Sequence, residues 1–205
     1  ISACLVGSEM CIRDRDKIYT PDLLIDFLRF QQDSAQVFVE TLIRHFHPHS
    51  VIDIGCGPGG YLAEFAKHGV DIFGIDGSKS VYDILQIPTE KFMIHNLAFP
   101  LNLSRKYDLC ICTEVAEHIE NRYSEVLVQT LCKTSDVVYF TAAIPGQTGH
   151  DHINEQPHEF WINWFEREGF GLDISTLEIV RSELIHQNMA AYWIPCNTLI
   201  FRRGI

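Results

Sequence analysis

Short apolar runs alternate along this chain with longer segments in which apolar residues recur every three or four positions. The apolar runs are bounded by Gly, Pro or polar residues, and they predict strands at residues 51–54, 70–75, 91–97, 107–112, 136–142, 172–180 and 197–202. The segments with helical spacing predict helices at residues 61–67, 80–87, 124–133 and 158–168. Alternating strands and helices are typical of βαβ units. We therefore expect an α/β fold whose seven-stranded, mostly parallel sheet has an antiparallel last strand and helices on both faces, in three αβα layers.

Two more helices are predicted ahead of the first strand, within residues 20–46. Thr20 and Pro21 are typical of an N-cap and a first helical position, and a second helix is expected over residues 34–46. Residues 1–15 match neither pattern. We interpret them either as translated adapter sequence of the kind that contaminates environmental assemblies or as a disordered N-terminal arm, and we assign them no function. Residues 16–205 are expected to form a single domain.

The most informative stretch joins the first strand to the next helix, where four glycines lie within positions 55–60. Glycine permits tight turns and lets the backbone approach a ligand closely, as in nucleotide-cofactor sites. Gly55, Gly57 and Gly60 satisfy the dinucleotide pattern G-x-G-x-x-G, so an NAD-dependent oxidoreductase is one interpretation. However, Asp53 would repel a pyrophosphate and attract a cationic sulfonium, and Pro58 removes an N–H from a phosphate-binding loop. These two residues favour a sulfonium cofactor over NAD.

Residues 53–59 read Asp-Ile-Gly-Cys-Gly-Pro-Gly and resemble motif I of the class I S-adenosylmethionine (SAM) dependent methyltransferases. Residues 114–119 read Glu-Val-Ala-Glu-His-Ile and resemble the E-V-x-E-H-I signature of small-molecule and RNA O-methyltransferases. The resemblance covers about residues 35–203 and implies a Rossmann-like fold that binds SAM and releases S-adenosylhomocysteine (SAH). It implies that the cofactor contacts Asp53, Gly55, Cys56, Gly57, Gly59, Asp76, Gly77, Asn96, Leu97, Thr113, Glu114 and Val115.

Two of these positions have a more specific expected role. Asp76 ends the second predicted strand, 76 − 55 = 21 positions after Gly55, which is the spacing at which a carboxylate accepts hydrogen bonds from ribose. Asn96, helped by the backbone N–H of Leu97, is expected to bind the adenine amino group. The families with this motif usually place Asp there, so Asn96 departs from their pattern.

The chemistry is expected where the fourth strand ends. For a hydroxyl acceptor, His118 is the first candidate for the base that removes the proton, and Glu117 lies beside it. His150 and His152, on the polar loop at residues 144–157, are the rivals. The E-x-x-E-H pattern, joined by a downstream histidine, resembles the divalent-metal site of small-RNA 2′-O-methyltransferases. Any metal ligands would be Glu114, Glu117 and His118, although we favour a metal-free reaction.

The composition of the chain limits the classes of binding partner that we expect. The net charge of −11 disfavours an extended nucleic-acid surface, and no apolar run reaches the length of a membrane span. Seven scattered cysteines, of which Cys110 and Cys112 lie in a predicted buried strand, indicate reduced thiols and a cytoplasmic location. We expect a small-molecule acceptor such as a sugar or metabolite hydroxyl. A metal-assisted RNA 2′-O-methyltransferase and a catalytically silent SAM-binding module remain as alternatives, and the sequence leaves the acceptor, the methylated atom and the oligomeric state open.

Overall fold

The computed structural model describes residues 19–187 and 189–205, so the expected arm at residues 1–15 lies outside the described part. Within these ranges, helix α1 (Pro21–Phe46) and strand β1 (Ser50–Ile54) precede the glycine-rich turn. The remaining elements are, in chain order, α2 (Gly60–Lys67), β2 (Asp71–Asp76), β3 (Phe92–Ile94), β4 (Leu109–Thr113), α3 (Ser124–Thr134), β5 (Val137–Thr141), α4 (His158–Arg167), β6 (Phe170–Leu172), α5 (Ile174–His186), α6 (Trp193–Asn197) and β7 (Thr198–Arg203).

The seven strands of the described part form one sheet in the order β3-β2-β1-β4-β5-β7-β6. Strands β1 to β5 pair in parallel, whereas β7 runs antiparallel to both β5 and β6. The expected mixed sheet with an antiparallel last strand is therefore confirmed. The chain order reverses direction between β1 and β4, and open α/β sheets bind their ligands at the carboxyl ends of strands at such a switch point.

The two predicted N-terminal helices are one continuous helix, α1, so that prediction is wrong. Nothing between residues 30 and 34 breaks a helix, because this stretch contains neither Gly nor Pro. The buried residues Leu24, Ala35, Phe38 and Leu42 also keep a single helical stripe through it. The N-cap is Thr20, as predicted, and its hydroxyl accepts a hydrogen bond from the Leu23 N–H at 3.5 Å.

The predicted strand at residues 172–180 is also wrong, because only its first residue belongs to a strand. Strand β6 ends at Leu172, and α5 follows at once. The Asp173 carboxylate accepts a hydrogen bond from the Thr176 N–H at 3.1 Å, which caps α5. Leu177, Val180 and Leu184 are buried at helical spacing and dock α5 on the core.

Two smaller corrections concern the chain between β2 and β4. The predicted helix at residues 80–87 is a 3₁₀ helix, Lys79–Ile84, capped by the Ser78 hydroxyl. The predicted strand at residues 91–97 pairs only over Phe92–Ile94. The next residues turn, because the Asn96 side-chain carbonyl accepts a hydrogen bond from the Ala98 N–H and closes a local loop.

The helices form two groups, with α1 packed on α2 and α5 and with α3 packed on α4. The aromatic residues Trp161 and Phe165 of α4 are core, because both are fully buried against Phe140 of β5. Cys110 and Cys112 are buried free thiols, as expected. Within the described residues, no helix has both the length and the apolar character that crossing a bilayer requires.

Candidate active site

A cavity of about 760 Å³ opens at the carboxyl ends of β1, β2 and β4. One wall is formed by the glycine loop (residues 55–60) together with the ends of these strands, and we call it the glycine wall. The facing wall comes from Tyr19 and the first half of α1, from the loop after β5, and from residues 191–197. The predicted site residues that line the cavity are Gly55, Gly57, Asp76, Gly77, Leu97, Thr113, Glu114, Val115, Glu117, His118, His150 and His152.

Two structural features require glycine at position 55. Its φ is +85°, in the left-handed region that L side chains rarely adopt. A Cβ built there would lie 2.3 Å from Cγ2 of Val115, which lines the cavity. The Gly55 N–H donates to the Ile75 carbonyl at 2.7 Å, so the loop cannot move aside without losing that bond. The result is a stretch of bare backbone on the cavity wall.

Asp76 stands at the end of β2 and holds this loop in place. Its carboxylate accepts hydrogen bonds from the Gly57 N–H and from the Ser78 N–H, both at 2.8 Å. Two backbone donors fix the orientation of the carboxylate at the cavity wall. This is the placement expected for a ribose-binding residue.

Four predicted cofactor residues lie behind the wall rather than on it. Cys56 is buried against Gly74 of β2, and Gly59 starts α2 in a left-handed conformation. Asn96 is buried, and its carbonyl is already bonded to the Ala98 N–H, so the adenine contact through that oxygen remains a prediction. Asp53 is fully buried, and neither of its carboxylate oxygens has a hydrogen-bond partner within the described chain.

The isolation of Asp53 has an electrostatic consequence. Burial, and after it the nearby Asp76 carboxylate, raise the pKa of Asp53 well above its ordinary value. A buried carboxylate without a partner is costly, and a cation close to the glycine loop would relieve this cost. The glycine wall, Asp76 and Asp53 together fit a ligand that combines ribose hydroxyls with positive charge.

Glu114 follows β4 in a left-handed conformation, with φ of +54°. Its N–H donates to the Thr141 hydroxyl at 3.0 Å, and its carboxylate accepts a hydrogen bond from the Asn197 side chain at 3.1 Å. Burial raises its pKa. Strained non-glycine residues of this kind cluster at functional sites.

Glu117, His118 and His152 form a compact cluster on the same side of the cavity. One ligand atom from each lies within 4.8 Å of the others, and the two imidazole rings are 5.1 Å apart between centroids. The Glu117 carboxylate is fully buried near Glu114, yet neither oxygen makes a hydrogen bond of good geometry within the described residues. Burial, and then the Glu114 carboxylate, raise the pKa of Glu117 well above its ordinary value.

Each imidazole of this cluster is oriented by an acceptor on its outer side. Nδ1 of His118 is 3.1 Å from the Asp151 carbonyl, and Nδ1 of His152 is 2.9 Å from the Glu155 carboxylate. A carbonyl only accepts, so the His118 Nδ1 carries the proton and its Nε2 is the basic nitrogen. The hydrogen bond from His152, followed by that from the Gly146 N–H, lowers the pKa of Glu155. Such outer partners are typical both of catalytic bases and of metal-binding histidines.

The loop after β5 is fixed to this cluster by backbone hydrogen bonds. The Glu117 carbonyl accepts from the N–H groups of Ile153 and Asn154 at 2.9 and 3.0 Å. The buried Asn154 side chain donates to the Ala116 carbonyl at 3.3 Å and to the Ser124 hydroxyl at 3.2 Å. The loop therefore brings His152 to residues that precede it by more than thirty positions.

A family model described as "Methyltransferase domain" matches residues 27–174, which is well over half of the chain. The chain belongs to this methyltransferase family. Its members depend on SAM, which agrees with the glycine wall and with Asp76.

Among curated proteins, the methyltransferase domain is similar to ubiquinone biosynthesis O-methyltransferases. That of Acinetobacter baylyi is 32% identical over 101 residues, and that of Acinetobacter baumannii is 33% identical over 101 residues. Both alignments cover 44% of this chain and 42% of the relative, so the match spans less than half the length of these relatives.

Among solved structures, the domain resembles a sugar N-methyltransferase from Streptoalloteichus sp., with a TM-score of 0.60 and 12% identity over 85% of this chain and 88% of that one. It also resembles magnesium protoporphyrin IX methyltransferase from Synechocystis with bound SAH, with a TM-score of 0.57 and 20% identity over 82% and 87% of the two chains. At these identities the likeness concerns the fold.

Sequence reasoning missed most of the wall that faces the glycine loop of this methyltransferase. The wall comes from Tyr19 and the first half of α1, from the loop after β5 and from residues 191–197. The lining aromatic residues there are Tyr19, Phe27, Phe30, Tyr192 and Trp193. Gln31 was also missed, and in the sequence it is one of two adjacent glutamines without a distinguishing pattern.

Proposed function

We propose that this protein transfers the methyl group of SAM to a hydroxyl group of a small molecule bound in the 760 Å³ cavity. The observation that carries the proposal is the meeting of two features at one switch point. The glycine wall with Asp76 and the cluster of Glu117, His118 and His152 line the same cavity. The O-methyltransferase names of the curated relatives agree with a hydroxyl acceptor.

The residues of the glycine wall indicate the contacts that SAM would make. Bound SAM supplies the methyl group on a sulfonium that is already activated. Asp76 would accept hydrogen bonds from the ribose, and the backbone at Gly55 and Gly57 would allow close approach. Asp53 and Glu114 would offset the positive charge of the sulfonium and of the amino group. The N–H of Leu97 would contact adenine.

The proton of the acceptor hydroxyl needs a base at hydrogen-bond distance. The imidazoles of His118 and His152 both carry an acceptor next to Nδ1, which directs Nε2 to the role of base. We propose that one of them accepts the proton as the hydroxyl oxygen attacks the methyl carbon. We favour His118, because it lies in the short segment after β4, where the glycine wall meets the cluster.

The side chains of the facing wall support an uncharged acceptor with an apolar face. Five aromatic residues line it, and the described lining residues include three carboxylates but neither Lys nor Arg. The described lining residues thus offer no cationic side chain to pair with a phosphorylated acceptor or an RNA backbone, which counts against the RNA 2′-O-methyltransferase alternative.

A second candidate is a reaction assisted by a divalent cation, and the cluster fits one. An orphaned buried carboxylate and two imidazoles with outer partners form a donor set of the kind that binds Mn²⁺, Fe²⁺ or Zn²⁺. Glu117, His118 and His152 would hold the ion, so that His152 replaces Glu114 in the ligand set expected from the sequence. A cation there would lower the pKa of a nearby acceptor hydroxyl.

Calorimetric titration with SAH, repeated with NAD, tests the proposal first. We expect SAH to bind at micromolar concentration and NAD to give no heat. Binding of NAD alone would refute the cofactor assignment. A radiolabelled SAM assay against a panel of phenols, sugars and phosphorylated metabolites then tests the acceptor. Binding of SAH without turnover of any of these acceptors would favour the silent SAM-binding module.

A further inference from the structure

Gln31 of α1 makes two hydrogen bonds to the glycine loop. Its side-chain oxygen accepts from the Gly60 N–H at 3.1 Å, and its side-chain nitrogen donates to the Cys56 carbonyl at 3.2 Å. The Cys56 carbonyl and the Gly60 N–H lie on either side of Gly57 in the chain, and the Gly57 N–H donates to the Asp76 carboxylate. A single carboxamide therefore bridges the glycine loop from the side of α1.

The bridge replaces a cap that the sequence of α2 lacks. The N-cap residue of α2 is Gly59, which has no side chain to satisfy the first N–H groups of the helix. Gln31 provides the missing acceptor from another helix. The contact is close enough that a Cβ on Gly60 would lie 2.9 Å from both Cβ and Oε1 of Gln31. Gly60 is thus matched to Gln31 in shape as well as in hydrogen bonding.

Only a carboxamide of this length can make both bonds. Glutamate would keep the acceptor for Gly60 but would turn an oxygen towards the Cys56 carbonyl. Methionine has a similar shape but would leave the Gly60 N–H without this acceptor. The Cys56 carbonyl would be affected less, because it also accepts from the Gly59 N–H at 3.0 Å.

The same helix forms part of the wall that faces the loop. Leu24, Phe27 and Phe30 line the cavity from α1, and Gln31 lines it as well. Gln31, which holds the glycine loop, is thus on the same helix as the residues that line the acceptor half of the cavity. A shift of α1 on filling the acceptor half would be transmitted to the glycine loop through these two hydrogen bonds.

We propose that Gln31 is a positioning residue for the cofactor, which holds the glycine loop in its binding conformation from the acceptor side. The inference rests on the proposed function, because it assigns the loop to SAM. It makes a separate claim, namely that part of the cofactor affinity depends on a side chain outside the glycine motif and outside the strand ends.

Gln31→Met tests this inference, with Gln32→Met as the matched control. Gln32 is the next residue on the same helix and is exposed. We expect Gln31→Met to weaken SAH binding about tenfold, because the variant loses both hydrogen bonds to the glycine loop and leaves the Gly60 N–H without its acceptor. Gln31→Glu should also weaken it, and Gln32→Met should bind SAH like the wild type. All affinities are measured by calorimetry at a temperature where circular dichroism shows each variant folded.

Two results would overturn the inference, and they are distinguishable. Wild-type affinity in both Gln31 variants, with only a lower melting temperature, would mean that Gln31 serves stability alone. Failure of the wild-type protein itself to bind SAH would refute the proposed function and this inference with it. If Gln31→Met does not fold, Gln31→Glu gives the decisive comparison, because it preserves the shape and the bond to Gly60.

Discussion

Substituting Gly55 by alanine is the most direct perturbation of the cofactor wall. The new methyl group would lie 2.3 Å from Cγ2 and 2.8 Å from Cγ1 of Val115, and the residue would have to keep a φ of +85°. Gly69→Ala provides the control, because Gly69 has a φ of +77° but no atom of the described residues lies within 4 Å of the position that a Cβ would take. The two variants share the backbone strain and differ in the steric clash.

The expected magnitudes follow from these two contributions. A left-handed conformation costs an L residue about 1–2 kcal/mol, and overpacking a core typically costs about 1–3 kcal/mol. Gly55→Ala should therefore lower the free energy of unfolding by about 2–5 kcal/mol, and Gly69→Ala by about 1–2 kcal/mol. The gain from a less flexible unfolded chain applies equally to both variants and cancels in the comparison.

Urea unfolding and SAH calorimetry measure the two effects. Gly55→Ala should bind SAH much more weakly, because Val115 lines the cavity and must move into it or push the loop away. Combining Gly55→Ala with Val115→Ala removes both clashing methyl groups and should recover the stability lost to the clash, which a double-mutant cycle quantifies. Equal destabilisation by Gly55→Ala and Gly69→Ala would refute the close contact, and unchanged SAH affinity would remove Gly55 from the cofactor wall.

Three further expectations concern a cofactor contact, the metal and pH. Asp76→Asn loses the charge that the Gly57 and Ser78 N–H groups share, so SAH affinity measured by calorimetry should fall on the order of a hundredfold; unchanged affinity would refute the ribose assignment. If the cation-assisted reaction is the correct candidate, Mn²⁺ will bind the wild type at one site in electron paramagnetic resonance titrations and will not bind Glu117→Gln, whereas the exposed Glu120→Gln will bind it like the wild type; no binding to the wild type would refute this candidate and leave the metal-free imidazole base. Burial raises the pKa of Asp173, but its hydrogen bonds to Arg202 and to the α5 N-terminus outweigh this and lower it to about 2. Its folded pKa lies below the unfolded value of about 3.9, so its contribution to stability is complete above pH 4 and is lost as pH falls towards 2. Unfolding free energies of Asp173→Asn should accordingly depend less steeply on pH in that window, and an unchanged slope would contradict the assignment.

The order of strands and helices could be predicted from the sequence because local patterns carry it. Buried parallel strands are continuous apolar runs, and the glycine loop needs residues that tolerate positive φ at Gly55, Gly57 and Gly59. The errors came where a local signal was ambiguous. Residues 172–180 are rich enough in β-branched residues to resemble a strand, whereas the helix there depends on the Asp173 cap and on a core that only the fold supplies.

The polar residues at the strand ends of the site could also be predicted from the sequence, because the carboxyl ends of parallel strands meet at one edge of a sheet. Asp76, Glu114 and His118 each follow a predicted strand, and all three line the cavity. What only the tertiary structure decided is which distant residues join them. His152 reaches Glu117 because a loop is hydrogen-bonded to the Glu117 carbonyl, and Gln31 reaches Gly60 because α1 packs on α2. Contacts between residues about thirty positions apart depend on packing, and no local pattern along the chain encodes them.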